Sequence, residues 1–205
     1  MNYITHFTQP KHGQGCSVTA ANYAIVNAQH HHTVLIDASS VDGQSDLPSI
    51  LGIPEPSAPF DPVDVYDDGR LIFHSMIPSD LATRYIDSKI IIDYGTLTPH
   101  RFSPKADRTI GVVRACYVTL RRAVAMHYAA DELILITEVG RALNTRDVER
   151  ALGITVSCEL PWDPAIARVV DAGLLSSRLP FVINQAMDPL LLPVVERIDH
   201  PSMST

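Results

Sequence analysis

Short apolar runs alternate with amphipathic stretches along most of the chain. The runs at 33–37, 89–93, 109–113 and 132–137 are rich in Val, Ile and Leu and apolar at successive positions. Strands covered by helices on both faces read this way, because neither side of the strand meets water. A fifth run lies at 153–158, and the opening 2–9 is a weaker sixth. Between them the pattern predicts helices at 17–29, 117–127, 145–152, 164–172 and 181–198. Asn144 is the expected N-cap of the third, with Asp147 in its first turn and Gly153 just past its end. Strands alternating with helices predict an α/β fold, a doubly wound and mostly parallel sheet. Residues 52–69 carry Pro54, Pro56, Pro59 and Pro62 and read as an irregular surface loop, with strand-like patterning resuming at Leu71.

The chain has 205 residues, 46% of them hydrophobic and 19% charged. That suits one globular domain spanning 1–205 with a core large enough to need no disulfides. Cys16, Cys116 and Cys158 are far apart with no CxxC, as expected of reduced thiols. Residues 1–6 lack a basic region followed by an apolar stretch, so a cytoplasmic location is expected. No run reaches the roughly 20 apolar residues of a membrane span. The stretch 188–198 is apolar, but it lacks lysine and large aromatics; a packed final helix is expected there rather than a membrane anchor.

A net charge of −7 argues against a protein that coats DNA. Residues 101–150 nonetheless hold nine Lys/Arg against six Asp/Glu. This mildly basic stretch, with Arg121-Arg122 and the i, i+4 pair Arg146 and Arg150, is a weak candidate nucleic-acid face. A solvated surface with ordinary pairing to Asp147 and Glu149 is favoured. The run His30-His31-His32 sits at a predicted helix end, where adjacent side chains diverge too much to share a metal.

The candidate chemistry lies where the first strand gives way to the first helix, in Pro10-Lys11-His12-Gly13-Gln14-Gly15-Cys16-Ser17-Val18-Thr19-Ala20-Ala21-Asn22-Tyr23-Ala24. A phosphate loop in this position surrounds phosphate with backbone N–H groups and a helix N-terminus, and its Ser/Thr holds Mg²⁺. The stretch resembles the MinD/ParA family of deviant-Walker P-loop ATPases, which read K-G-G-x-G-K-T-T-x-A-x-N-L-A here. Further along, Val34-Leu35-Ile36-Asp37 and Leu47-Pro48-Ser49-Ile50-Leu51-Gly52 follow the family's next strand and segment, and Ile90-Ile91-Ile92-Asp93 matches its Walker B strand. Arg146 to Gly153 and Leu160-Pro161-Trp162-Asp163-Pro164 look like the CpaE/TadZ branch.

The resemblance implies a P-loop fold and a nucleotide site for ATP or ADP with Mg²⁺. It places Lys11, Gly13, Gly15, Cys16, Ser17, Val18, Pro161 and Trp162 around the nucleotide. Ser17 and Asp93 fall at the metal, and Lys11 and Asp37 at the catalytic positions. It also implies a homodimer with loop faces opposed, a protein partner, and a role in intracellular positioning or partition. The departures are informative. Cys16 stands at the position of the loop lysine, so the Walker A motif is degenerate; His12 replaces a glycine and Ser39 a second Asp. A cysteine at a helix N-terminus is expected to have a lowered pKa, a reactive thiol and, as thiolate, a repulsive effect on phosphate. Weak or absent hydrolysis follows, with three roles left open: a nucleotide switch, an ATPase rescued by Lys11 or a partner residue, and a scaffold without nucleotide.

Overall fold

The apolar runs form the centre of one sheet. The structure, a computed structural model, describes residues 2–39, 45–58, 60–66, 68–99 and 101–191. Among these, the strands are β1 (Tyr3–Thr8), β2 (Thr33–Asp37), β3 (Val63–Asp64), β4 (Leu71–His74), β5 (Lys89–Gly95), β6 (Arg108–Arg114), β7 (Glu132–Thr137) and β8 (Val156–Pro161). Their spatial order is β3-β4-β2-β5-β1-β6-β7-β8. Every pairing is parallel except β3 with β4, so the sheet is mostly parallel with one antiparallel edge.

Successive residues of a strand serve opposite cores, as the two-residue period requires. On β5, Ile91 packs with Phe7, Leu35 and Ile110 under α1 (Cys16–Ala28). Ile90 and Ile92 face the other way, with Val34, Ile36 and Leu81 of the short α3 (Leu81–Arg84). Farther along that second face, Val113, Leu133 and Leu135 meet Leu120 of α4 (Tyr117–Ala125) and Val148 of α5 (Thr145–Leu152). Helix α1 is buried almost all round, since α2 (Leu47–Leu51) and α7 (Phe181–Met187) cover its outer side. Its Ala20, Ala21, Ala24 and Ala28 allow that close approach.

Several expected boundaries shift. The run at 153–158 forms its strand three residues later, because Gly153 is spent as the left-handed C-cap of α5. The helix expected over 181–198 ends at Met187 and tightens into a 3₁₀ turn at Asp188–Leu191; residues 192–198 lie outside the described ones. Helices α2 and α3 and strand β3 carry too few residues to show a period. The proline-rich segment is irregular except at β3, and one of its prolines, Pro59, lies outside the described residues.

Helix α2 stops at Gly52, whose φ of 75° is left-handed. A Cβ there would lie 1.9 Å from the carbonyl oxygen of Gly173, just beyond α6 (Pro164–Asp171). Gly52→Ala therefore combines backbone strain with a clash against main chain, and costs about 2–4 kcal/mol. Gly69→Ala is the control: its φ is 66°, but nothing lies within 4 Å of the new methyl, so it costs about 1 kcal/mol. Urea denaturation checks both; equal losses would refute the close contact.

Candidate functional site

Strand β1 is flanked by β5 and β6, and the chain leaves its C-terminal end as the loop Pro10–Gly15. Gly13 and Gly15 take φ of 78° and 92°, and Gly15 caps α1 from the left-handed region. Open space lies where Cβ atoms would stand, so the backbone is left bare. The Gly15 carbonyl accepts from both the amide and the hydroxyl of Thr19, which fixes the first turn of α1. A left-handed glycine run opening into a helix presents N–H groups to an anion.

Inward-facing glutamines hold the loop from below. The Gln14 amide donates to Gln9 Oε1 at 3.2 Å. Gln14 Oε1 in turn accepts from the Arg114 amide and the Thr119 hydroxyl, each at 3.0 Å. On the outside, His12 Nε2 meets the Thr96 hydroxyl at 3.1 Å, and Lys11 Nζ folds back on the His12 carbonyl at 3.3 Å. Thus the histidine in a glycine position ties the loop to the end of β5, and half-buried Lys11 turns back onto its own loop.

Asp93 lies at the floor of the site. Parallel register sets it beside Asp37 of β2 and Phe7 of β1. Its Oδ1 accepts from the Cys16 thiol at 3.2 Å and the Gly95 amide at 2.9 Å, while buried Oδ2 has no partner among the described residues. Burial raises the Asp93 pKa, the Ser17 hydroxyl opposes the rise, and the charge of Asp37 adds to it. Asp37 Oδ1 is taken by its own turn, through the Ser39 amide at 2.8 Å and hydroxyl at 2.7 Å. Ser39 is therefore a hydrogen-bond donor to Asp37 through both its amide and its hydroxyl. Among the described residues no group of three metal-ligating side chains is preassembled, at the histidine run or elsewhere. Ser17 and Asp93 together fit a Mg²⁺ that brings its own phosphate and water ligands.

Cys16 corrects the expectation of an activated thiol. It is 1% exposed. Burial raises its pKa well above the ordinary thiol value, the Asp93 carboxylate raises it further, and both outweigh the backbone hydrogen bond from Gly95. A neutral thiol therefore faces Asp93, and no thiolate confronts phosphate. Cys158 is likewise pushed up, to about 11, chiefly by burial. At Cys116, the N-cap of α4, partial burial acts upward, but hydrogen bonding with the Thr119 hydroxyl and with the Thr119 and Val118 amides prevails and lowers the pKa.

Beside the loop a cavity of about 220 Å³ is lined by Gln14, Gly15, Val18, Arg114, Pro161 and Trp162, among others. The Trp162 amide donates to the Thr137 carbonyl at 2.7 Å and Asp163 N-caps α6, so this turn places the half-exposed indole on the cavity wall. Of the residues expected around a nucleotide, Gly15, Val18, Pro161 and Trp162 meet at this cavity. Gly13 lies on the loop and Cys16 and Ser17 open α1, outside the cavity's lining. Gln14, Arg114 and Thr119 were missed, because the middle residue of a G-x-G signals nothing and Arg114 ends a plain apolar run. Asp147 and Glu149 do not pair with Arg146 and Arg150 as expected. Asp147 completes the capping box with Asn144, and Glu149 accepts from the Val156 amide.

This mostly parallel sheet with its covering helices is matched among solved structures. A ParA family ATPase from Chlorobium tepidum TLS superposes with a TM-score of 0.70 at 16% identity, covering 93% of this chain and 98% of that one. The fold is that of the MinD and ParA ATPases. The septum site-determining protein MinD of Pyrococcus horikoshii OT3, solved with Mg-ADP, gives 0.69 at 16% over 93% and 95%. MinD in the MinC:MinD complex of Aquifex aeolicus gives 0.65 at 17% over 90% and 93%. No protein-family profile matches the sequence. No curated relative matches it either.

The thiols give a first test. Cys116 reacts fastest with iodoacetamide, Cys158 far more slowly and Cys16 slowest, as followed by mass spectrometry at pH 7.5. Early labelling of Cys16 would mean that the loop stands away from Asp93. Asp93 gives the second. Folding raises its pKa, so its proton favours the native state, and stability falls as pH climbs through the raised value. Asp93→Asn keeps an acceptor for Cys16 and Gly95 without the buried charge. It is more stable than the parent at pH 8, with the gain shrinking toward pH 4 in chemical denaturation. A constant difference across that range would show that Asp93 does not titrate as its burial dictates.

Proposed function

We propose that this chain is a MinD/ParA-type nucleotide switch of the CpaE/TadZ kind, with a degenerate Walker A loop and weak or absent ATP hydrolysis. It acts in intracellular positioning or partition, through a homodimer and a protein partner. One observation carries the reading: the bare glycine loop, Ser17 and Asp93 stand together, while the lysine position holds a neutral thiol turned onto Asp93. Backbone donors and Ser17 remain to cradle a phosphate, but that position supplies no cation to neutralise charge on a transferring γ-phosphate. Lys11, folded on the His12 carbonyl, would have to be redirected to do so.

In this reading Pro161 and Trp162 border the base, Ser17 and Asp93 hold Mg²⁺, and Asp37 stands behind the attacking water. The known complexes of similar fold support the assignment: the Pyrococcus MinD holds Mg-ADP and the Aquifex MinD holds MinC. Exposed apolar side chains border the loop end of the sheet, with Tyr117 and Val118 following β6, Val139 following β7 and Trp162 following β8. Exposed apolar side chains at the ends of three successive strands suit two copies meeting through their loop ends.

Titrating labelled ATP with Mg²⁺ into the parent and Cys16→Lys tests the proposal. The parent binds weakly. The variant binds ATP about ten- to a hundred-fold more tightly, the worth of one charge-assisted contact of roughly 1.5–3 kcal/mol. ATP gains more than AMP, since only ATP presents a γ-phosphate, and hydrolysis returns only in part because Ser39 is unchanged. Tight binding and turnover by the parent, lost on Lys11→Ala, would establish a working ATPase instead. Equal non-binding by both proteins would leave the fold as a scaffold without nucleotide.

A further inference from the structure

At the opposite end of the sheet from the loop, a cavity of about 370 Å³ opens among the first residues of β1, β5 and β6 and the last turn of α1. Cys16 and Asn27 lie eleven residues apart along α1, so this cavity is roughly 17 Å from the phosphate loop. Its lining is cationic and hydroxylic, with Lys89, Arg108, His31, Tyr3, Tyr23 and Asn27 among its residues. The Lys89 ammonium lies over the Tyr3 ring, 4.7 Å from its centroid.

The charge balance is incomplete. Arg108 is paired with Glu132, and its Nη1 donates to the Leu190 carbonyl at 3.0 Å. Lys89 forms no ion pair among the described residues. Asp107 is the acid that acts on it, and Asp107 Oδ2 already accepts the Ile4 amide at 2.8 Å. Partial desolvation lowers the Lys89 pKa and Asp107 opposes the fall, so the half-buried ammonium is only partly compensated by the groups around it. Asn27 Nδ2 is spent on the Tyr23 carbonyl, and Arg108 Nη1 on the Leu190 carbonyl and the Tyr23 hydroxyl, which leaves the Lys89 ammonium and the other terminal nitrogen of Arg108 among the cavity's cationic donors.

We infer that this cavity binds the carboxylate or phosphate group of a small organic anion between Lys89 and Arg108. The volume exceeds that of a bare oxyanion and leaves room for a short body against Ile91 and Leu190. The site is independent of nucleotide at the loop. Its anion has two sources: a free metabolite, or the acids Glu196 and Asp199, which follow Leu191 in sequence.

Thermal unfolding of the full chain, with inorganic phosphate or succinate titrated against chloride at constant ionic strength, tests the inference. A ligand of the native state produces a saturable rise in Tm. Lys89→Met keeps the stem on Tyr3 but removes the charge, and weakens the apparent affinity about ten-fold or more. Ser17→Ala leaves it unchanged. A rise that never saturates, that survives Lys89→Met, or that disappears with Ser17→Ala overturns the site. Should Lys89→Met not fold, NMR of the reductively ¹³C-methylated parent decides: the Lys89 resonance must move with the anion and saturate. The double change Glu196→Gln, Asp199→Asn separates the sources. Tighter binding of the added anion shows that the chain's own acids compete for the site, and unchanged binding shows a site for a free anion; both support it.

Discussion

A carboxylate at the end of a central strand has no water to face. Strand β5 runs between β2 and β1, so Asp93 is wholly buried, and its charge must be met by protein groups or suppressed. The first residue of α1 is the one that meets it. With a lysine there the pair would be ionic, and costly to bury unless fully hydrogen-bonded. With Cys16 the contact is a thiol donating to a carboxyl whose pKa is raised, and the strand-to-helix turn closes with little buried charge. The price of this arrangement is chemical: the group that anchors the turn cannot also neutralise a phosphate.

Other ties shape the loop without any ligand. Gln9 and Gln14 pin its middle to the start of α4, His12 pins its outer edge to Thr96, and Thr19 fastens Gly15 to the helix. Such redundancy lets left-handed backbone persist, since the surroundings hold what local preference would relax. It also connects the loop to the surface. Thr119 lies between Gln14 and the Cys116 thiol, so displacing the loop disturbs the N-terminus of α4, where Tyr117 and Val118 are exposed. If the chain is the switch proposed above, this is a short hydrogen-bonded route from the loop to the exposed Tyr117 and Val118.

The sheet was legible because its strands are apolar on both faces, and that pattern has few other readings. Its mostly parallel character was legible through the helices between strands, and so was the N-cap at Asn144. Elements of two to five residues were not, since α2, α3 and β3 owe their form to packing rather than period. The loop's glycines and Ser17 were visible, and so were Asp37 and Asp93 at strand ends. What escaped was direction. Sequence places Cys16 at a helix N-terminus, where a lowered pKa is the local expectation. Only the register of β1 on β5 shows that its thiol faces a second acid in a dry interior. Gln14 and Arg114 escaped for the same reason, because their roles depend on partners a hundred residues apart.

Charge bears on where two copies of this acidic chain could meet. Each carries −7, and residues 1–100 alone hold eleven acids against four bases. Contact through that part would set like charges together across a low-dielectric gap. The loop end of the sheet is different. Asp37 and Asp93 are buried there, Glu138 is shared by Arg114 and Arg141, and Lys11 lies at the rim. Around them stand Tyr117, Val118 and Val139, exposed and uncharged. The surface least opposed to self-association is thus the one that presents the phosphate loop, and a bound nucleotide's negative charge would add repulsion unless cations crossed the interface. In the dimer proposed above, with the uncharged Cys16 at the start of α1, that repulsion is least with little nucleotide bound or with Lys11 redirected toward the interface.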